Sequence, residues 1–136
     1  MSGQITKISH LGIAVRSLEP ALGFYRDRLG LTHTETREIP ERGLAVAFLQ
    51  AGEVQIELLA PLTPTSEVSK FLTDRGEGIH HLCFEVGDIR AELGRLAAEG
   101  VRVVNPEPSI GAEGCPVAFL HPKSCNGVLV ELLESK

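Results

Sequence analysis

HLGIAV at residues 10–15 returns as HLCFEV at residues 81–86, and this repetition decides the fold. Both segments begin with a histidine and alternate apolar with smaller or polar residues, which is typical of a half-buried strand. A second pair, VQIELL at residues 54–59 and VLVELL at residues 128–133, carries one glutamate in each copy. Because the two kinds of segment recur in the same order, the sequence predicts two copies of one supersecondary unit.

Each copy is predicted to contain a strand, a helix and three further strands. In the first copy Ser17 is placed to cap a helix with an apolar stripe over residues 18–29, and Gly30 is placed to end it. Asp88 and Gly100 take the same places in the second copy. The predicted strands are residues 8–15, 32–39, 44–50 and 53–60, and then 79–86, 101–105, 116–121 and 128–133.

The two copies, residues 5–60 and 79–134, are joined by residues 61–78, whose apolar spacing predicts a short helix. One helix covers only one face of a small sheet, so we expect the open faces of two copies to curve around one cavity. The predicted fold class is α+β, with two tandem βαβββ modules forming a curved mixed sheet around a central cavity. The length of 136 residues fits a single domain, residues 1–136.

Composition excludes several classes of function. The chain is 43% hydrophobic and 23% charged, an ordinary globular balance, and its net charge of −5 provides no basic stripe for nucleic acid. No apolar run approaches the roughly 20 residues of a membrane span. The N-terminal residues lack the pattern of a signal peptide, so a cytoplasmic location is expected. Three cysteines without CxxC spacing predict reduced thiols.

Strand alternation places four polar side chains opposite the apolar core face: His10, Glu57, His81 and Glu131. Two imidazoles and two carboxylates suit a divalent first-row metal such as Co²⁺, Mn²⁺, Ni²⁺, Zn²⁺ or Fe²⁺. Four protein ligands on an octahedral ion leave two positions open for water or a chelating substrate. The sequence therefore predicts a catalytic metal site in the cavity.

Each of these residues has an ordinary explanation when it is taken alone. A histidine at the start of a strand is usually structural, and a buried glutamate can belong to an ion pair. The repetition of both features favours the metal. Gln55 faces the same way as Glu57 and is its main rival as a ligand. Of the other histidines, His33 is expected to be exposed, His80 to lie in a core or interface, and His121 to lie in a turn.

The chain resembles the vicinal oxygen chelate (glyoxalase/bleomycin resistance/dioxygenase) superfamily over essentially its whole length, and within it the methylmalonyl-CoA epimerase family. The resemblance rests on HLGIAV, ELLAPL, GIHHLCFEV and HPKSCNGVLVELL. The last stretch is the specific one, since HLGIAV is shared by many relatives. The resemblance implies an acyl-CoA substrate, a homodimer, a role in propionate metabolism, and one divalent ion per chain. Co²⁺ is the ion expected in vitro, with Mn²⁺, Ni²⁺ and Zn²⁺ as alternatives.

Carried over by motif, the resemblance makes His10, His81 and Glu131 metal ligands, with Glu57 at the remaining place. The family reaction inverts C2 of methylmalonyl-CoA through an enolate, so a base is needed on each side of that carbon. We expect Glu131 and Glu57 to be the two bases. Some members carry a second catalytic glutamate on the third strand, near Val46, where this sequence has no carboxylate.

The second base therefore has alternatives: a water molecule on the metal, or Glu41 from a mobile loop. Lys123 and Ser124 are expected to contact the substrate, although a solvated turn is an equal explanation for the lysine. Gln55 is a further candidate for substrate contact. The loop Ser109–Gly114 is either a lid or an ordinary surface loop.

Three other functions compete with the epimerase. A glyoxalase-type lyase uses a related set of two histidines and two glutamates. An extradiol dioxygenase relies on two histidines and one carboxylate. A non-catalytic binding protein of the same fold would lack bound metal. The sequence also leaves open whether ethylmalonyl-CoA is accepted.

Overall fold

The computed structural model describes residues 4–111 and 113–135 and confirms the α+β class. The strands are β1 (Ile5–Ala14), β2 (Thr32–Ile39), β3 (Leu44–Ala51), β4 (Val54–Pro61), β5 (Gly78–Val86), β6 (Ser109–Ile110), β7 (Pro116–Leu120) and β8 (Val130–Glu134). The helices are α1 (Leu18–Leu22), which continues as a π-helix over Gly23–Arg28, α2 (Glu67–Arg75) and α3 (Ile89–Ala98). Two 3₁₀ turns lie at Pro40–Arg42 and Pro122–Ser124.

The chain divides into two compact units. The first-repeat unit is residues 10–80, and the second-repeat unit consists of the described parts of residues 1–9 and 81–136. The strand order is β2-β3-β4-β1 in the first and β5-β8-β7-β6 in the second. In both units the first and last strands pair in parallel, and the remaining pairs are antiparallel. The predicted repeat is thus present in the topology, and residues 61–78 lie in the first-repeat unit.

In each unit one face of the sheet packs against the helix that follows the first strand. The packed side chains of the first-repeat unit include Ile13, Val15, Leu22, Ala47, Leu49, Ile56, Leu58 and Ala60. Those of the second-repeat unit include Phe84, Val86, Ile89, Leu93, Ala118, Leu120, Val130 and Leu132. Burying each large side chain contributes roughly 1.5–3 kcal/mol. The alternation predicted from sequence is therefore confirmed on the helix-facing side of both sheets.

The helix predicted over residues 18–29 is not uniform. Its α-helical part ends at Leu22, and the amide of Leu29 donates to the carbonyl of Phe24 over 2.9 Å, a bond that spans five residues instead of four. This π-helical register rotates the last turn away from the apolar stripe. Leu29 is consequently 55% exposed, and Leu31 packs against the core instead. The prediction that Leu29 completes the stripe was wrong.

The predicted second strand of the second copy, residues 101–105, is also absent as a strand. Val103 makes one isolated bridge to Leu120, and the oxygen Oδ1 of Asn105 accepts the amide of Phe119 over 3.3 Å. Pro106 follows and cannot donate to a ladder, so regular pairing stops there. The edge strand β6 forms instead at Ser109–Ile110, within the loop predicted as a lid.

The predicted helix caps are largely confirmed. Asp88 accepts the amide of Ala91 over 3.1 Å, and Gly30 and Gly100 end their helices with φ of +82° and +87°. Ser17 has the extended conformation of a cap, but its side chain makes no capping hydrogen bond. All three cysteines are free, as expected. None of the helices in the described residues is long and apolar enough to cross a membrane.

The buried carboxylate of Glu92 links the start of the chain to α3. Glu92 accepts the backbone amide of Gln4 over 3.1 Å and the Nη2 of Arg95 over 2.9 Å. The hydrogen bond from Arg95 and, to a lesser extent, the amide of Gln4 hold the pKa of the Glu92 carboxyl below its ordinary value, although burial opposes this shift. A depressed pKa in the folded state stabilises the fold at neutral pH and ceases to do so as pH falls through that pKa.

We predict that Glu92→Gln lowers the free energy of unfolding at pH 7 by about 1–3 kcal/mol, the cost of a lost buried charged hydrogen bond. The difference between the variant and the parent should shrink as pH falls below the usual glutamate range, because Glu92 is then protonated in the parent as well. Urea unfolding across pH 3–7 (roughly the range in which glutamates titrate) measures this. Glu99→Gln is the control, since Glu99 is exposed and binds the same arginine. An equal loss in both variants would contradict the prediction.

Candidate functional site

The first half of the candidate site lies on the neighbouring parallel strands β1 and β4. Glu57 on β4 is in register with Gly12 on β1, and His10 lies two residues before Gly12. The side chains of His10 and Glu57 therefore both lie on the sheet face opposite α1. His10 Nδ1 is 3.5 Å from Glu57 Oε2. Both residues are buried, with 3% and 5% of their surface exposed.

The second half repeats this arrangement on β5 and β8. Glu131 is in register with Cys83, and His81 is two residues earlier on β5. His81 Nε2 is 3.3 Å from Glu131 Oε1, and each residue is 7% exposed. The sequence repeat therefore produces a diagonal contact twice, from a histidine on the first strand of a unit to a glutamate on its last, through Nδ1 of His10 in one unit and Nε2 of His81 in the other.

The chemistry and spacing of each pair fit two ligands of one metal ion. The separations of 3.5 and 3.3 Å exceed the ~2.7–2.9 Å of a charge-assisted hydrogen bond. Two ligands bonded to one ion at about 2.1 Å lie about 3.0 Å apart in octahedral geometry and about 3.4 Å apart in tetrahedral geometry. A buried carboxylate is also costly without a compensating positive charge. The imidazole–carboxylate sets thus suit a divalent first-row cation.

The surroundings of the first pair supply no further carboxylate from β3. Phe48 is opposite Glu57 and Gln55 is opposite His10, and both lie on the pair's face of the sheet. The β3 residues on this face are Leu44, Val46, Phe48 and Gln50. The absence of a carboxylate near Val46 in the sequence is therefore an absence on the ligand face of β3 as well. Glu57 is the carboxylate that β3 and β4 contribute to this face.

Glu41 lies in the hydrogen-bonded turn Pro40–Arg42 and is exposed. The amide of Gly43 donates to the carbonyl of Pro40 over 3.0 Å, and the carbonyl of Gly43 accepts from Leu62 over 2.7 Å. Gly43 has φ of +69°, and a Cβ there would lie 2.8 Å from Oγ1 of Thr63. The loop that carries Glu41 is therefore a short turn that is hydrogen-bonded to the chain that follows β4.

The second pair is supported by an aromatic contact that the sequence reasoning missed. Phe119 is opposite Glu131 on β7, and its ring lies 6.3 Å from the His81 ring in an edge-to-face arrangement. Cys83, fully buried, packs with Val117 on the same face. The alternation within PVAFL is the signal that could have placed Phe119 beside the pair.

Lys123 and Ser124, predicted to contact substrate, are both exposed in the 3₁₀ turn before β8. Ser124 Oγ accepts the amide of Arg102 over 2.9 Å, and His121 Nδ1 accepts the amide of Lys123 over 3.0 Å. His121 therefore has the turn role predicted for it. Burial and, less strongly, the charges of Arg102 and Lys123 lower its pKa.

The two remaining histidines lie outside both pairs. His33 is half-buried, not exposed as predicted, and its Nε2 lies 2.7 Å from Oγ1 of Thr36. His80 is half-buried and packs its ring against Phe71 of α2, with centroids 5.0 Å apart. Neither contact resembles the diagonal histidine–glutamate pairs.

Known proteins are similar to this chain over most of its length. Residues 9–119 match the model of the glyoxalase/bleomycin resistance protein/dioxygenase superfamily. The chain is 45% identical to the ethylmalonyl-CoA/methylmalonyl-CoA epimerase of Cereibacter sphaeroides, over 94% of this chain and 97% of that protein. It is 43% identical to the mitochondrial methylmalonyl-CoA epimerase of Mus musculus, over 95% and 73%.

Among solved structures, a variant of the Streptomyces coelicolor methylmalonyl-CoA epimerase in complex with 2-nitronate-propionyl-CoA superposes with a TM-score of 0.90. It is 38% identical, and the match covers 97% of this chain and 96% of that one. The chain belongs to the glyoxalase/bleomycin resistance/dioxygenase superfamily and, within it, to the methylmalonyl-CoA epimerase family.

Proposed function

We propose that this protein is an epimerase that interconverts (2R)- and (2S)-methylmalonyl-CoA by 1,1-proton transfer at C2. The observation that carries the proposal is the matched pair of buried histidine–glutamate contacts in a chain of this family. C2 lies between a thioester carbonyl and a carboxylate, so removal of its proton places negative charge on two oxygens. Inversion then needs one group to take the proton from one face and another to return a proton to the opposite face.

We further propose that His10, Glu57, His81 and Glu131 hold one divalent ion. Their burial and their donor atoms support this assignment, and Co²⁺ is the ion we expect in vitro, with Mn²⁺, Ni²⁺ and Zn²⁺ as alternatives. When bound, the ion would supply Lewis-acid stabilisation of the charge that develops on the substrate oxygens. The chain itself helps to orient the His81 imidazole, since the Phe119 ring packs edge-on against it.

The metal assignment predicts that His81→Ala weakens Co²⁺ binding by at least about 100-fold, more than the loss of an outer partner usually costs. The titration follows the visible absorption of Co²⁺ and heat release by calorimetry. His33→Ala is the matched control and should bind Co²⁺ like the parent, because His33 lies outside both pairs. Unchanged affinity in the His81 variant would contradict the four-residue site.

For the proton transfer we propose Glu131 on one face of C2 and Glu57 on the other. The two carboxylates occupy equivalent places in the repeated units, each diagonal to a histidine on a parallel strand. In each direction one glutamate, loosened from the ion, takes the proton from C2, and the other, loosened and already protonated, returns its own proton to the opposite face. The apolar side chains of Val46 and Phe48 on β3 support Glu57 over a third-strand residue for this role.

Replacing Glu57 with glutamine separates proton transfer from metal binding, because the amide oxygen remains a possible ligand. We expect kcat to fall by at least about 100-fold, the usual contribution of a general base, while bound Co²⁺ is retained. Glu41→Gln tests the alternative base and should leave kcat close to that of the parent. Near-normal epimerisation by the metal-loaded Glu57 variant would remove Glu57 from the mechanism.

The proposed reaction itself is tested by proton exchange. The metal-stripped protein and the Co²⁺-reconstituted protein are incubated with (2S)-methylmalonyl-CoA in D₂O, and NMR follows C2 deuteration and formation of the other epimer. We expect both only with metal present. If the metal-loaded protein exchanges no C2 proton, the epimerase proposal fails, and lactoylglutathione-type chemistry becomes the first alternative to test.

Several finer expectations stay predictions that accompany this proposal. They are the homodimer, the cytoplasmic location, the role in propionate metabolism and the contacts of Gln55 with substrate. The position of Gln55 opposite His10 on the ligand face supports its proposed contact with substrate. The exchange assay run with ethylmalonyl-CoA beside methylmalonyl-CoA tests whether the enzyme also accepts the larger acyl group.

A further inference from the structure

We propose that Arg102 and Lys123 form a phosphate-binding site that holds the charged end of the CoA substrate, an inference that rests on the proposed acyl-CoA substrate. Arg102 was not identified in the sequence as a site residue. Lys123 was a candidate for substrate contact, with a solvated turn as the alternative. The structure places the backbones of both residues at the turn before β8, in the second-repeat unit.

Three hydrogen bonds fix this framework. The amide of His121 donates to the carbonyl of Arg102 over 2.8 Å, and the amide of Arg102 donates to Ser124 Oγ over 2.9 Å. The amide of Lys123 donates to His121 Nδ1 over 3.0 Å. Arg102 and Lys123 contribute only backbone atoms to these bonds, so both charged side chains remain available for a ligand.

The charges of the two residues are not compensated locally. Within residues 4–111 and 113–135, no carboxylate forms an ion pair with the side chain of Arg102 or Lys123, although ion pairs hold seven other cations: Lys7, Arg16, Arg26, Arg37, Lys70, Arg90 and Arg95. In a chain of net charge −5, this is a local positive region. A polyanion such as the CoA phosphates is the ligand that such a region attracts.

The place of this pair in the fold agrees with an acyl-CoA held by Glu131. Glu131 is the second residue of β8, and Leu120, the last residue of β7, is opposite Val130. The turn that carries Lys123 therefore connects the two strands at the end where Glu131 lies. With the acyl group at Glu131, the pantetheine arm would extend past this turn and bring the phosphates toward the two cations.

Arg37 is the other cation to consider, since it lies on the ligand face of the first-repeat unit. Its guanidinium is already bound to Glu35 through contacts of 2.9 and 3.0 Å and lies over the Phe48 ring at 5.2 Å. A phosphate would have to displace a carboxylate there. Arg102 and Lys123 require no such exchange.

The test compares substrates with and without the phosphates. Arg102→Met/Lys123→Met is assayed with methylmalonyl-CoA and with methylmalonyl-pantetheine, which lacks all phosphate groups. We expect the preference for the CoA thioester in kcat/KM to fall by about 10-fold or more, as for the loss of one charge-assisted hydrogen bond. Calorimetric titration with CoA and with pantetheine gives a readout that needs no turnover. The variant should lose affinity for CoA and keep the parent's affinity for pantetheine.

The matched control is Arg28→Met/Arg42→Met, which removes two exposed cations that form no ion pair within the described residues, and it should keep the parent's preference. All three framework bonds use backbone atoms of residues 102 and 123, so we expect Arg102→Met/Lys123→Met to fold. Circular dichroism checks the fold. If the double variant does not fold, Lys123→Met alone is assayed in its place. An unchanged preference in a folded variant overturns the proposal. A parent that binds CoA more tightly than pantetheine but exchanges no C2 proton overturns the proposed reaction instead.

Discussion

The diagonal contact between a histidine and a glutamate on neighbouring parallel strands is the constraint on which the rest of the structure depends. Parallel pairing of β1 with β4, and of β5 with β8, requires the chain to leave the first strand and return beside it in the same direction. The helix and the two antiparallel strands between them are the connection that makes this return possible. The βαβββ order is thus the topology that brings His10 to Glu57, and repetition of the order brings His81 to Glu131.

Burial of these four residues has an energetic cost that the apolar face offsets. An isolated buried carboxylate would cost several kcal/mol, so each glutamate is accompanied by an imidazole that lies on the same face. The helix-facing clusters of both units contain large apolar side chains from alternate strand positions, and these stabilise the sheets on which the polar pairs lie. Because side chains alternate along a strand, one sequence pattern provides both the stabilising face and the reactive face.

The sequence predicted most of the strands, the caps of α3 and the polar residues of both pairs because all of them depend on local alternation and repetition. It failed where backbone geometry depends on longer-range packing. The π-helical turn that exposes Leu29 leaves no distinct mark in the apolar spacing, and the loss of a strand at residues 101–105 follows from Asn105 bonding Phe119 before Pro106. Arg102 could not be assigned from sequence, since its proximity to Lys123 arises from a turn that joins distant residues.

Each repeat holds one histidine–glutamate pair, but the residues around the two pairs differ. This difference suits an unsymmetrical substrate. The first pair is opposite Phe48 and Gln55 on a sheet whose third strand presents apolar side chains on that face. The second pair lies at the end of β8 that follows the turn bearing Lys123. Two equivalent carboxylates suit a reaction whose forward and reverse steps are mirror images at one carbon. An unsymmetrical substrate, with its phosphates at one end only, needs a single binding site for them. Arg102 lies two residues after Gly100, and the residue two positions after Gly30 in the first repeat is Thr32, which carries no charge.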